Sequence, residues 1–169
     1  DNGVCLLVGM EYDTPDGDFL LFGPFEDLTP GLSADDLLQL VENRQGVAVA
    51  ANPCREGRSL NPDIPDRTAC RIIEGLNGRN SDAENRAVEQ LIEKYSLFSC
   101  GGSDAHSPEE LGRAATRFEE NITCRRELIA ALKKGRYQPV GNLQSAFSNT
   151  GQVKDSFCVR LAQPSAHTS

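Results

Sequence analysis

Histidine is nearly absent from this chain, which has only His106 and His167. Imidazole chemistry therefore falls on very few positions. The six cysteines (Cys5, Cys54, Cys70, Cys100, Cys124 and Cys158) are scattered without a C-x-x-C pair. That spacing argues against a disulfide framework or a zinc ribbon and reads as reduced thiols packed as small hydrophobes. No apolar run reaches the roughly 18 residues of a membrane span, and no signal peptide is visible. The expectation is a cytoplasmic protein with no membrane partner. Positive charge is also short, with 17 Lys and Arg against 25 Asp and Glu and a formal net charge of -8 at pH 7. Such a field repels nucleic-acid phosphates and anionic lipid, so non-specific binding to either is disfavoured. It suits a carboxylate-lined cation site equally well. An initiator methionine is missing too: the chain opens "DNGVCLLVGMEYD" and enters an apolar run almost at once. This predicts a piece of a longer product.

What is present is enough for one domain with a core, at 169 residues and 38% hydrophobic composition. Strand and helix patterns alternate. Val4–Met10 is continuously apolar, as in a strand covered on both faces, and "DFLLFG" after the turn Pro15–Gly17 suggests its hairpin partner. Ser33 is placed to cap a helix over Ala34–Asn43, and "VAVAANP" reads as a buried strand that stops at Pro53. "LNPDIPD" reads as a proline-rich surface loop, and "CRIIEGLNG" as a strand ending in a turn. Ala83, Ala87, Val88, Leu91, Ile92 and Tyr95 mark one face of a helix over Asp82–Tyr95. "LFSCGG" is a further strand, and Ser107-Pro108-Glu109-Glu110 has the form of a helix start with a capping box. "TRFEENI" suggests a short strand, and Thr123 a cap for a last helix ended by Gly135. Repeated strand–helix–strand units predict the α/β class with a parallel sheet or barrel. Residues 1–139 are read as that domain. Residues 140–169 are read as an extension holding one edge strand, "DSFCVRLA", and a loose tail.

In such folds, sites lie at the C-terminal ends of strands. Four strand ends carry polar residues here: Gly9-Met10-Glu11, Asn52-Pro53, Glu74 with Asn77, and Gly101-Gly102-Ser103-Asp104-Ala105-His106. Asp104 and His106 are two apart, so extended backbone would project them to one side. A carboxylate beside an imidazole suits a divalent metal, or an acid–base pair. It equally suits a capping aspartate with a surface-turn histidine. Glu11, at the end of an apolar strand, calls for a cation unless the strand has already reached water. Arg55 and Arg58 lie just past a strand end, where they would fork onto a phosphate or stand solvated in a loop. Cys54 and Cys100 flank the same region and are disfavoured as soft ligands.

Taken together, "GMEYDTPDGDFLLFG", "GVAVAANP", "IIEGLNGRN" and "GGSDAHSPEELGRAATRFE" resemble the PHP family, the polymerase and histidinol phosphatase domains, across about residues 4–138. The resemblance implies a distorted (β/α)7 barrel, incomplete at its N-terminal side in this chain. It also implies metal-dependent hydrolysis of phosphate esters, with up to three divalent ions (Mn, Zn, Mg or Fe) at the strand ends. By that resemblance Glu11, Asn52, Asp104 and His106 are metal ligands, Asp104 and His106 are catalytic, and Arg55 and Arg58 face substrate phosphate. The implied partner is a phosphorylated small molecule or nucleotide. Missing barrel strands would leave an open sheet edge for a second copy of the chain. The family's opening H-x-H strand is absent, and its usual His-Pro is Asn52-Pro53 here. Fewer than three ions are therefore expected. The alternative is a degenerate PHP domain that binds or regulates without turnover.

Overall fold

The computed structural model describes residues 4–141 and the short strand 159–161. The elements are β1 (Leu7–Thr14), β2 (Gly17–Phe22), α1 (Ala34–Asn43), β3 (Val47–Ala51), α2 (Ile64–Arg67), β4 (Ile72–Asn77), α3 (Asp82–Tyr95), β5 (Phe98–Gly102), β6 (Ala114–Phe118), α4 (Arg125–Lys134), β7 (Tyr137–Gly141) and β8 (Val159–Leu161). The main sheet has the order β5-β4-β3-β2-β1-β8, and β6 and β7 form a separate antiparallel pair.

β1 and β2 form the expected hairpin. Its turn is fastened by Thr14, whose hydroxyl donates to the Gly17 carbonyl at 2.7 Å and accepts from the Asp16 amide at 3.2 Å. Gly17 closes the turn at φ +132°, a conformation that favours glycine. β2 pairs antiparallel with both β1 and β3, while β3–β4 and β4–β5 are parallel. Two reversals restore direction, so β1, β3, β4 and β5 all run the same way. Their C-terminal ends share one edge.

β3 is the central strand, and all five of its residues are buried. Ala48 and Ala50 face a core with Phe19, Leu21, Leu37, Val41, Ile73 and Val88, which brings in α1 and α3. Val47 and Val49 face the opposite core with Phe22, Ile72, Cys100, Leu128 and Leu132, which brings in α4. The alternation of a strand thus yields helices on both faces of the sheet. Two helix starts are capped by serine. The Ser33 side chain accepts from the Asp36 amide at the start of α1, and Ser81 with Glu84 forms a full capping box on α3. Gly135 ends α4 in the left-handed region, and a Cβ there would stand 2.2 Å from the Phe98 ring.

Several expectations need correction. Among the described residues the sheet is open and mixed, and a (β/α)7 barrel is not shown. The first strand begins at Leu7 rather than Val4, and Leu6 (62%) and Val8 (49%) are exposed, so it is not covered on both faces. "LNPDIPD" is not a surface loop throughout, because Leu60 and Ile64 are core residues and α2 forms within it. Ser107-Pro108 opens only a three-residue 3-10 turn, Pro108–Glu110, and the Ser107 side chain makes no capping bond. The Glu110 carboxylate that would complete the box accepts from the His106 amide instead, at 2.7 Å. Cys124 rather than Thr123 is the N-cap of α4, while Thr123 bonds Glu127 through its amide and hydroxyl. β8 falls inside "DSFCVRLA". Cys158 and the tail "QPSAHTS" lie outside the described residues. No helix among the described residues is long and apolar enough to cross a membrane.

Candidate functional site

The shared edge gathers the polar strand ends. Glu11 of β1 lies opposite Leu20, and Asn52 follows directly on β3. Glu74 and Asn77 belong to β4, and Asp104 stands two residues past β5. Asn52 and Asp104 both adopt positive φ, at 46° and 49°. Asn and Asp tolerate that region better than most side chains, and here it turns the chain sharply away from the sheet.

Glu74 and Asn77 form the buried centre, 5% and 2% exposed. Glu74 Oε2 accepts from the Asn52 amide at 3.1 Å and from Asn77 Nδ2 at 3.1 Å. The same Nδ2 donates to Asn52 Oδ1 at 2.9 Å. Asn77 Oδ1 accepts from the amides of Arg79 (2.8 Å) and Asn80 (3.3 Å), and from Arg55 Nη2 (3.3 Å). One carboxamide therefore ties together the ends of β3 and β4 and the turn into α3. Removal from water pushes the Glu74 carboxyl up to about 7, against the opposing effect of the Asn77 and Asn52 hydrogen bonds. Gly102 has a local reason as well: a Cβ there would stand 2.7 Å from Glu74 Oε1.

Around this centre the charges are paired. Arg55 Nη2 donates to Asp104 Oδ2 at 2.7 Å and Arg55 Nε to Asn80 Oδ1 at 2.9 Å. Arg58 Nη2 stands 2.8 Å from Oδ1 of the buried Asp18 and 3.0 Å from Asp13 Oδ1. Glu11 lies close to this acidic group. Its carboxyl is held above the ordinary range by burial first, then by Asp18, Asp104 and Asp13, with Arg58 opposing. The His106 side chain is 53% exposed. Its Nδ1 lies 2.6 Å from Arg79 Nη1 and 2.8 Å from the Asp104 carbonyl oxygen.

Glu11, Asn52, Arg55, Arg58, Asp104 and His106 are thus all found along the expected edge. They do not converge as a ligand set: among the described residues no group of three or more His, Cys, Asp or Glu side chains is arranged to hold a metal ion. Asn52 Oδ1 is engaged by Asn77, and Asp104 Oδ2 by Arg55. A cluster of two or three ions, each needing about four ligands, does not fit this donor set. The thiols add nothing to it. Burial raises the pKa of both Cys54 and Cys100, and Cys100 donates to the Ile73 carbonyl at 3.5 Å.

Sequence reasoning noticed Glu74 and Asn77 at a strand end and gave them no role. The signal was available, since a carboxylate inside "RIIEGL" raises the same burial question as Glu11. Asp18 and Arg79 carried no such signal, because their partners are distant in sequence.

Residues 82–137 match the family model described as PHP-associated. No curated protein matches the chain in sequence. Among solved structures, the crystal structure of PsfC from Pseudomonas syringae PB-5123 is similar with a TM-score of 0.65 and 22% identity, over 81% of this chain and 59% of that one. The likeness is one of fold, and the chain spans about three fifths of that protein's length. A second crystal structure, of a candidate metal-dependent phosphoesterase from Bifidobacterium adolescentis, is similar over 64% of this chain and 38% of that one, with 22% identity and a TM-score of 0.43.

Proposed function

We propose, from the match of residues 82–137 to the PHP-associated family model, that the chain recognises a phosphorylated small molecule or nucleotide at its strand-end edge and does not hydrolyse it with its own residues. One observation carries this reading. Where a metal cluster would require free carboxylates, Asp104 and Asp18 are each bonded to a guanidinium, at 2.7 Å by Arg55 and at 2.8 Å by Arg58. The arginines supply the positive charge that stabilises these carboxylates, and they bring forked donors to the edge, which suit phosphate oxygens.

A second reading, metal-dependent phosphoester hydrolysis, is favoured by Glu11. Its carboxyl is raised by burial first and then by Asp18, Asp104 and Asp13, and a divalent ion (Mn, Zn, Mg or Fe) held between them would relieve the repulsive part of that shift. Glu11, Asn52, Asp104 and His106 are the ligands in this reading.

One experiment separates the two. The purified chain is loaded with each ion and dialysed, and its metal content is measured by mass spectrometry. Turnover of p-nitrophenyl phosphate and calorimetric binding of phenyl phosphate follow on the same samples. Binding with at most one ion and negligible turnover is the expected result. Two or three retained ions with sustained hydrolysis would overturn the non-catalytic reading.

A further inference from the structure

Arg79 has no role in the reading above, yet it makes the closest polar contact of His106. It sits in the turn from β4 to α3, where Asn77 Oδ1 accepts from its amide at 2.8 Å. Its Nη1 lies 2.6 Å from His106 Nδ1, and the Asp104 carbonyl oxygen lies 2.8 Å from the same nitrogen. These two contacts make opposite demands. A guanidinium can only donate, so Arg79 requires a bare Nδ1, whereas a carbonyl can only accept and requires Nδ1–H. A proton on Nδ1 would face the N–H of a permanent cation at hydrogen-bond distance. A bare Nδ1 gains a charge-assisted hydrogen bond at 2.6 Å, set against the Asp104 carbonyl oxygen at 2.8 Å and the more distant Asp104 Oδ1 at 3.7 Å. The cation decides the tautomer.

We propose that Arg79 fixes neutral His106 as its Nε2–H tautomer, and that Arg79, the Nε2–H of His106 and Arg55 form one donor face for a phosphate dianion. Three observations place these groups together. Arg55 bonds Asp104 Oδ2, His106 Nδ1 is 3.7 Å from Asp104 Oδ1, and Arg79 bonds His106. Asp104 and His106 therefore link the three side chains in one run of contacts, with Arg55 at the Asp104 carboxylate and Arg79 at the imidazole beside it. Glu110 holds the far side of the histidine through its backbone amide, and Arg113 stands 3.5 Å from Glu110. With Nδ1 occupied by Arg79 and a proton on Nε2, His106 offers no lone pair to a metal and becomes a hydrogen-bond donor. The anion face rests on the phosphate reading given above; the tautomer does not.

The test uses the full chain labelled with 15N, in EDTA, at a pH where imidazole is neutral. Two-bond proton–nitrogen correlation spectra report the tautomer of each histidine, and the His167→Gln variant assigns His106, because the chain has only these two. The expected pattern is Nε2–H in the parent chain, moving toward a mixture in Arg79→Gln. Calorimetry should show phenyl phosphate bound about tenfold more weakly by Arg79→Gln. Arg79 is exposed, and an unchanged unfolding curve will establish that the variant is folded. An Nδ1–H pattern in the parent chain overturns the tautomer. Unchanged affinity in Arg79→Gln overturns the donor face while leaving phosphate recognition standing. If the parent chain binds no phenyl phosphate, the donor face and the phosphate reading fall together and the tautomer is judged by its spectrum alone.

Discussion

Glu74 is a carboxylate at the centre of the site that the fold protonates more readily than water does. Burial raises it from the ordinary 4.5 to about 7. The folded chain therefore holds a proton over a pH range in which the unfolded chain has released it. The stability linked to this group is fully present below about pH 4.5, declines as pH rises, and is lost above about pH 7. The difference between the two limits is about 3 kcal/mol, a large part of the margin of a small domain. Glu74→Gln isolates it. The amide oxygen keeps an acceptor for the Asn52 amide and Asn77 Nδ2 and carries no charge to bury. Urea unfolding of both proteins in EDTA, from pH 5 to pH 8, gives the difference in stability at each pH. Contributions from carboxylates that do not interact with Glu74 are common to both chains and cancel. At pH 5 the variant should match the parent or fall slightly below it. By pH 8 it should gain on the parent by up to about 3 kcal/mol. A stability difference that does not change with pH would refute the reasoning and mean that Glu74 is ionised in the fold without penalty.

Arg55→Gln removes the partner of Asp104, whose side chain is only 23% exposed. It should lower stability by about 1–3 kcal/mol in urea unfolding, and an unchanged midpoint would show that solvent already screens the pair. Gly101→Ala would bring a Cβ to 2.6 Å from the backbone oxygen of Ala115. Forcing β5 away from β6 should cost about 1–3 kcal/mol, read as a lower thermal midpoint; no loss would mean the two strands are not so closely packed. Asn52→His is the direct attempt to restore a ligand. Because Asn52 is buried and bonded to Asn77, it should lower the thermal midpoint without raising bound zinc, and a gain of one zinc per chain would refute that orientation.

α1 and α3 were legible from local patterns and have the expected bounds, and Ser33 and Gly135 act within one turn of their own helix ends. Strand direction is a different matter. "DFLLFG" reads equally well as a strand in either orientation, and its place between β1 and β3 is set by the pairings of Asp18 with Asp13 and with Ala51. The sheet is therefore mixed where alternating strand and helix patterns predicted a parallel one. A local signal also failed where a neighbouring group competed for it. The capping box at Ser107 is undone by the His106 amide, which takes the glutamate it needed. Strand-end logic brought Glu11, Asn52, Asp104 and His106 to the correct edge, but local spacing did not show that Arg55 and Arg58 close on Asp104 and Asp18, 49 and 40 residues away.

Those long-range ion pairs divide the edge into two unlike halves. On the β1–β2 side Glu11, Asp13 and Asp18 crowd together with Arg58 as the cation in contact. On the β4–β5 side Arg55 and His106 meet Asp104, and Arg79 meets His106. Coulomb interactions of about 1–4 kcal/mol per close pair in water-rich surroundings make the first half hostile to an anion and the second receptive to one. A phosphorylated ligand would therefore set its phosphate against the β4–β5 half, and a cation, where one binds, would take the β1–β2 half beside Glu11. Asp104 lies between them and belongs to both, contributing to the raised Glu11 carboxyl while bonded to Arg55. The two readings of this site thus differ in whether the acidic half is filled.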